Sequence, residues 1–162
     1  MFELLRQMLK NSKKSDREIA KHLGLSQATI SRLRTRLEKE GYIKTYTIVP
    51  DFVKLGYEIL AFTFIKMKSY PTPEEAQRMA QHGKEWVGKH SNVIFASDGE
   101  GLGGKDVIMI SFHKNYSRYA NFMRSYAMDW GHIIAEFESF IVSLGSGFKM
   151  KHLDLKYLAD DK

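Results

Sequence analysis

Cysteine is absent from this 162-residue chain. That excludes a disulfide framework, a thiolate nucleophile and any cysteine-ligated zinc or iron–sulfur centre, and it suits a reducing, cytoplasmic setting. Long apolar runs are missing too: MFELLRQMLK mixes acids and bases within its first ten residues, and no later stretch approaches a signal-peptide core or a membrane span. Neither export nor a membrane partner is expected. His22, His82, His90, His113, His132 and His152 contain no pair at the helical spacing that binds zinc, and no serine sits in a nucleophile elbow. The sequence therefore predicts no metal, no cofactor, no catalytic residue and no enzyme. Proline occurs only at Pro50, Pro71 and Pro73, where the character of the chain changes.

What is present is an ordinary globular mixture, 43% hydrophobic and 27% charged, enough for one domain or two small ones. The net charge of +6 is not spread evenly. Residues 1–50 hold eleven Lys or Arg against five acids, whereas the remaining 112 residues balance fourteen against fourteen. A basic module joined to a neutral one is the pattern of a polyanion-binding element beside a non-electrostatic one, although a solvated basic face would look the same by charge alone.

Local signals in the basic third separate these readings. Phe2, Leu5 and Leu9 mark a short apolar helical face, which NSKKS breaks. Ser15-Asp16-Arg17-Glu18 is a capping box that starts a second helix, with Ile19, Ala20 and Leu23 on its buried side. Gly24 ends that helix and Ser26 caps the next only two residues later, so the two must cross steeply as a helix-turn-helix. Ile30, Leu33 and Leu37 line one face of the third helix, which runs to Gly41; YIKTYTIVP after it reads as a strand or the arm of a wing.

The opposite face of that third helix carries forked and amide side chains a core has no use for. In a helix-turn-helix this face enters the DNA major groove. Arg32 can fork onto guanine and Gln27 onto adenine, with Ser31 and Thr35 beside them as base readers. The amides at the Ser26 end suit a phosphate, and Lys13, Lys14, Arg36 and Lys44 are expected to contact the phosphate backbone. Double-stranded DNA is the expected partner.

These residues resemble the Lrp/AsnC, or feast/famine, family of transcription regulators. The resemblance runs from LLRQMLKNSKKSDREIAKHLGLS through RLEKEGYI to the Leu-Gly at 55–56. Two departures stand out: the first helix lacks the acidic lead-in usual in the family, and Arg34 stands where an aliphatic residue is common, which implies a recognition helix turned by a fraction of a turn.

Beyond Gly56 the order of elements is strand, helix, strand, strand, helix, strand: YEILAFTFIKMK, an acid-rich helix starting at Pro71 and Pro73, NVIFASD, KDVIMISF, NYSRYANFMRSYAMDW and HIIAEFESFIVSLG. That is the ferredoxin-like pattern, two helices on one face of a four-stranded sheet. The expected fold is α+β: a helix-turn-helix domain at 1–50, a linker at 51–56, a ferredoxin-like domain at 57–145 and an extension at 146–162. The family resemblance implies that open sheet faces pair into a homodimer, which can assemble into higher oligomers. Phe62, Phe64, Phe137, Ser139 and Ile141 are taken as candidates for that interface, on outer strands. It also implies an amino-acid effector near the glycine-rich turn SDGEGLGGKD. Asp98, Glu100 and Asp106 are the candidates for the ammonium, and Gly99, Gly101 and Lys105 for the carboxylate; a mobile hairpin loop is the plainer reading. The resulting expectation is a sequence-specific regulator. An architectural DNA-wrapping protein and a siroheme-decarboxylase-like enzyme are the alternatives.

Overall fold

The computed structural model describes residues 1–68 and 72–160. Pro71, expected to open the first helix of the neutral half, lies outside the described residues. The chain forms two compact units. One comprises Met1–Pro50 together with the described part of Lys149–Lys162, and the other is Asp51–Phe148.

The first unit holds three α-helices, α1 (Phe2–Lys10), α2 (Asp16–Leu23) and α3 (Gln27–Lys39). Its core is Leu4, Met8, Ile19, Ala20, Ile30 and Leu37, with Leu23, Leu33 and Ile43 packed at its edge. The α1 stripe differs from the expected one: Leu4, Gln7 and Met8 are buried, Phe2 is exposed, and Leu5 and Leu9 lie half-buried. Leu4 and Met8, one turn apart, are the pair that meets Ile19, Ile30 and Leu37. A short 3₁₀ helix, Leu155–Asp160, packs on α1, with Ala159 buried and Lys10 Nζ 2.7 Å from Asp160 Oδ1. The segment expected as a strand or wing arm, 42–50, pairs with no strand among the described residues.

In the second unit β1 (Ile59–Met67), β2 (Val93–Asp98), β3 (Val107–His113) and β4 (Ile134–Ser143) make an antiparallel sheet of order β2-β3-β1-β4. Two helices, α4 (Pro73–Gly88) and α5 (Tyr116–Trp130), cover one face. Thr72 and Glu75 close a capping box at the start of α4. Trp86, Met123, Tyr126 and Trp130 from the helices meet Ile65, Met109 and Ile134 from the sheet.

Register decides which side chains look away from the helices, since directly paired residues share a face. Phe95 opposes Ile110, Ile110 opposes Phe62 and Phe62 opposes Phe140, so one apolar row crosses all four strands on the helix-free side. Phe137, Ser139 and Ile141 oppose Ile65, Thr63 and Ala61 and therefore lie on the helix side, correcting the sequence expectation. Phe62 and Phe64 do sit on the open face, but on a central strand rather than an outer one. Phe52, from the short segment before β1, stacks on Phe112 at 4.3 Å and covers one end of that face.

Candidate nucleic-acid interface

The geometry of α2 and α3 follows from a few local contacts. Ser15 Oγ accepts from the Glu18 amide at 3.3 Å while the Ser15 amide donates to Glu18 at 2.7 Å, fixing where α2 begins. That bonding to Ser15 holds the Glu18 carboxyl below its usual range. Gly24 adopts φ +67°, the left-handed conformation that lets the chain turn at once into α3. Ser26 Oγ then accepts from the Thr29 amide at 3.1 Å.

With Ile30 and Leu37 fully buried, the rest of α3 divides its cations between structure and surface. Arg34 is structural. Its Nε and Nη2 both donate to Asp16 Oδ1, the first at 2.9 Å, and Nη1 reaches the Met8 sulfur at 3.6 Å. The unusual arginine thus clamps the recognition helix to the N-terminus of α2. Arg36 is also engaged, donating from Nε to Glu40 at 2.6 Å on the helix surface. Arg32 differs from both: it is exposed and, among the described residues, has no hydrogen-bonding or ion-pair partner. The side chains of Gln27 and Ser31 are equally uncommitted and lie on the same exposed face. Thr35 donates back to the Ser31 carbonyl at 3.1 Å. Lys13, exposed, Lys14, half-buried, and Lys44, exposed, make no ion pair among the described residues. The structure thus gathers Gln27, Ser31, Arg32 and Thr35 on one helical face.

Tyr46 was not singled out in the sequence. Its hydroxyl donates to Glu38 at 2.6 Å and ties the segment that follows α3 back to it. An aromatic in a polar, β-branched run eight residues after a helical acid gives too weak a pattern to have found it.

The second cluster of expected residues lies in the β2–β3 connection. Gly101, Gly103 and Gly104 have positive φ, as does Leu102 at 41°. Asp98, Gly99, Glu100 and Gly101 are exposed there. Lys105 is turned inward, with its Nζ 2.6 Å from Glu136 and 3.5 Å from Glu138. The Glu136 contact holds the lysine above, and the glutamate below, their ordinary pKa ranges. Asp106 accepts from the Met67 amide at 2.7 Å. The two residues at the end of the turn therefore anchor it to β1 and β4. Among the described residues no three metal-ligating side chains gather, and no helix is long and apolar enough to cross a membrane.

A helix-turn-helix with an uncommitted polar face, joined to a ferredoxin-like unit, defines a class of two-part DNA-binding proteins, and comparison with known proteins narrows it. Residues 1–44 match the family described as winged helix-turn-helix DNA-binding. An uncharacterised HTH-type transcriptional regulator of Pyrococcus abyssi is 32% identical over 109 residues, 67% of this chain and 66% of that protein. Other curated relatives are matched over about half of their length. An AsnC family transcriptional regulator from Agrobacterium tumefaciens superposes with TM-score 0.73 at 22% identity, over 97% of this chain and 96% of that one. A transcriptional regulator of Neisseria meningitidis, solved as a complex with L-Met, gives 0.74 at 17% identity over 96% and 95%. The chain is thus similar to HTH-type transcriptional regulators in its helix-turn-helix, and its fold is that of the solved AsnC family regulator.

Proposed function

We propose that this protein is a sequence-specific DNA-binding transcription regulator that acts as a homodimer. The observation that carries the reading is the division of labour on α3: Arg34 is held by Asp16, whereas Arg32 and Gln27 stand on the exposed face without a partner among the described residues. Two uncommitted forked side chains on a helix whose other side is wholly packed are suited to base edges. Lys13, Lys14, Ser26, Arg36 and Lys44 are assigned to the phosphates.

The row Phe95, Ile110, Phe62, Phe140 supports dimerisation through the second unit, because Phe140 is 67% and Phe95 49% exposed on a sheet face without covering helices. An amino-acid effector around Asp98 to Asp106 is the further element of the proposal, supported by the exposed glycine-rich turn and by the Neisseria meningitidis regulator's complex with L-Met. In that site the exposed groups are Asp98, which accepts from Ser97 Oγ at 3.2 Å, and Glu100, while the Gly99 amide donates to the Asp106 carbonyl at 3.0 Å and the Gly101 carbonyl accepts from the Gly104 and Lys105 amides, so that these bonds with Lys105 and Asp106 hold the turn in place.

Footprinting on genomic fragments tests the reading. A few short protected sites with half-site symmetry are expected. Broad protection without preferred sites would favour an architectural role, and no protection would remove the DNA-binding reading.

A further inference from the structure

The directional contacts of α3 sit beside its buried seam rather than within it. Ile30, Leu33 and Leu37 make that seam, and Arg34 and Glu38, one turn apart, follow it along one flank. Both reach beyond their own helix. Arg34 donates to Asp16 at the start of α2 and touches the Met8 sulfur on α1, and Glu38 accepts from the Tyr46 hydroxyl at 2.6 Å.

The same hydroxyl meets Arg34. Partial burial pulls the Arg34 guanidinium down, but bonding to Tyr46 and to Asp16 outweighs it and holds the group above its ordinary range. Burial, and after it the bond to Glu38, raises the Tyr46 phenol against the pull of Arg34. A guanidinium has only donors and a carboxylate only acceptors, so the hydroxyl accepts from the first and donates to the second. A phenylalanine could do neither. One chain of polar contacts thus runs through Asp16, Arg34, Tyr46 and Glu38, from α2 across α3 to the segment that follows it.

Such a chain fixes what an apolar seam leaves loose. Burial of apolar surface is non-directional and holds α3 against its neighbours, whereas hydrogen bonds on its flank resist roll about its own axis. Gln27, Ser31 and Arg32 stand on the exposed side. A roll of about 10° carries a side-chain end about 6 Å from the axis through about 1 Å, more than the distance range of about 0.5 Å within which a hydrogen bond to a base edge holds. Lysines on flexible stems follow a phosphate through the same displacement. We propose that Tyr46 is a positioning residue for base recognition: its hydroxyl, held between Arg34 and Glu38, sets the roll of α3 and so the aim of Gln27, Ser31 and Arg32. This role rests on the DNA-binding reading of α3 and falls to a residue outside the groups assigned to bases or phosphates.

Full-length parent protein, Tyr46→Phe, Arg32→Ala and the double variant are titrated, well below their thermal midpoints, against a duplex carrying a footprinted site and against its scrambled counterpart. Tyr46 is 52% exposed, so loss of its hydroxyl is expected to move the midpoint by no more than about 3 °C. Tyr46→Phe is expected to weaken binding to the site duplex about fivefold and to the scrambled duplex less than about twofold, with the salt slope unchanged. In the Arg32→Ala background the same substitution is expected to weaken binding to the site duplex less than about twofold, because the contact it aims is already gone. The proposal is overturned by an equal loss on both duplexes, by no loss on the site duplex, or by a fivefold loss that persists in the Arg32→Ala background. A parent protein that binds both duplexes alike overturns the base-reading assignment itself, and this role with it.

Discussion

Arg32 and Lys13 are both exposed cations of the basic unit, yet they are assigned different tasks, and the difference is measurable. A base-edge fork discriminates against the wrong base by about 1–3 kcal/mol, whereas a phosphate contact adds affinity on any sequence through counterion release. Arg32→Ala is therefore expected to lower operator affinity more than affinity for scrambled duplex and to relax preference at one position per half-site. Lys13→Ala is expected to weaken both alike and to reduce the salt slope by about one unit. Titrations of both variants on both duplexes at several salt concentrations decide it; equal losses for Arg32→Ala would move that residue to the phosphates. At the opposite extreme of exposure, His113 is 4% exposed, its Nε2 2.8 Å from Ser111 Oγ, and burial depresses its pKa. Its folded pKa lies below its unfolded one, so between the two the unfolded chain binds more protons. Stability from this residue is complete above about pH 6.5 and is lost as the pH falls below it. Urea midpoints at pH 7 and pH 5 should therefore converge in His113→Leu relative to the parent protein; an unchanged difference would assign the acid sensitivity elsewhere.

Single elements rest on contacts of very different reach, and this sets how much of them the sequence reveals. The start of α2 depends on Ser15 and Glu18, three residues apart, so the capping box is readable directly. Ser15→Ala is expected to cost about 1 kcal/mol, seen as a lower urea midpoint with unchanged slope. The Arg34–Asp16 clamp spans 18 residues and two helices. From sequence it reads only as a departure from an aliphatic position. Its side chains are 21% and 22% exposed, and Arg34→Ala is expected to cost about 1 kcal/mol or somewhat more. If midpoint and operator affinity are both unchanged, the clamp is idle. Strands follow the same rule. Their existence and order are legible from β-branched and aromatic runs, but their facing is not, because alternation defines two faces without saying which is covered. Phe137, Ser139 and Ile141 alternate as an open-face row would, and only the register places them on the helix side. Lys105 offers a similar case: its partners Glu136 and Glu138 lie 31 and 33 residues away, and nothing in the glycine-rich turn announces them.

At the scale of the whole molecule, the neutral unit is expected to hold the dimer together while the basic unit reads DNA. Phe140→Glu and Phe62→Glu place charge in the apolar row of the open sheet face. Light scattering is expected to find a dimer for the parent chain and a monomer for the variants, with operator affinity reduced at least about tenfold because two half-sites no longer bind as one. A dimer that persists in both variants would transfer the interface to another surface.

The 3₁₀ helix docked on α1 gives the chain path an unusual property. Residues 51–148 are an insertion within the first unit, which the chain leaves after Pro50 and re-enters at Lys149. The backbone, closed by the contact of Lys10 with Asp160 and the burial of Ala159, makes a circuit rather than a line. One cut in a line separates its parts; one cut in a circuit does not. A protease that nicks the exposed segment at 44–49 should therefore leave both fragments in one particle on gel filtration, whereas the same nick in a chain truncated before Lys149 should release the helix-turn-helix. The helix-turn-helix is in this sense retained by a non-covalent bolt, and the strength of the α1 contact with 155–160 sets how long a nicked molecule stays whole.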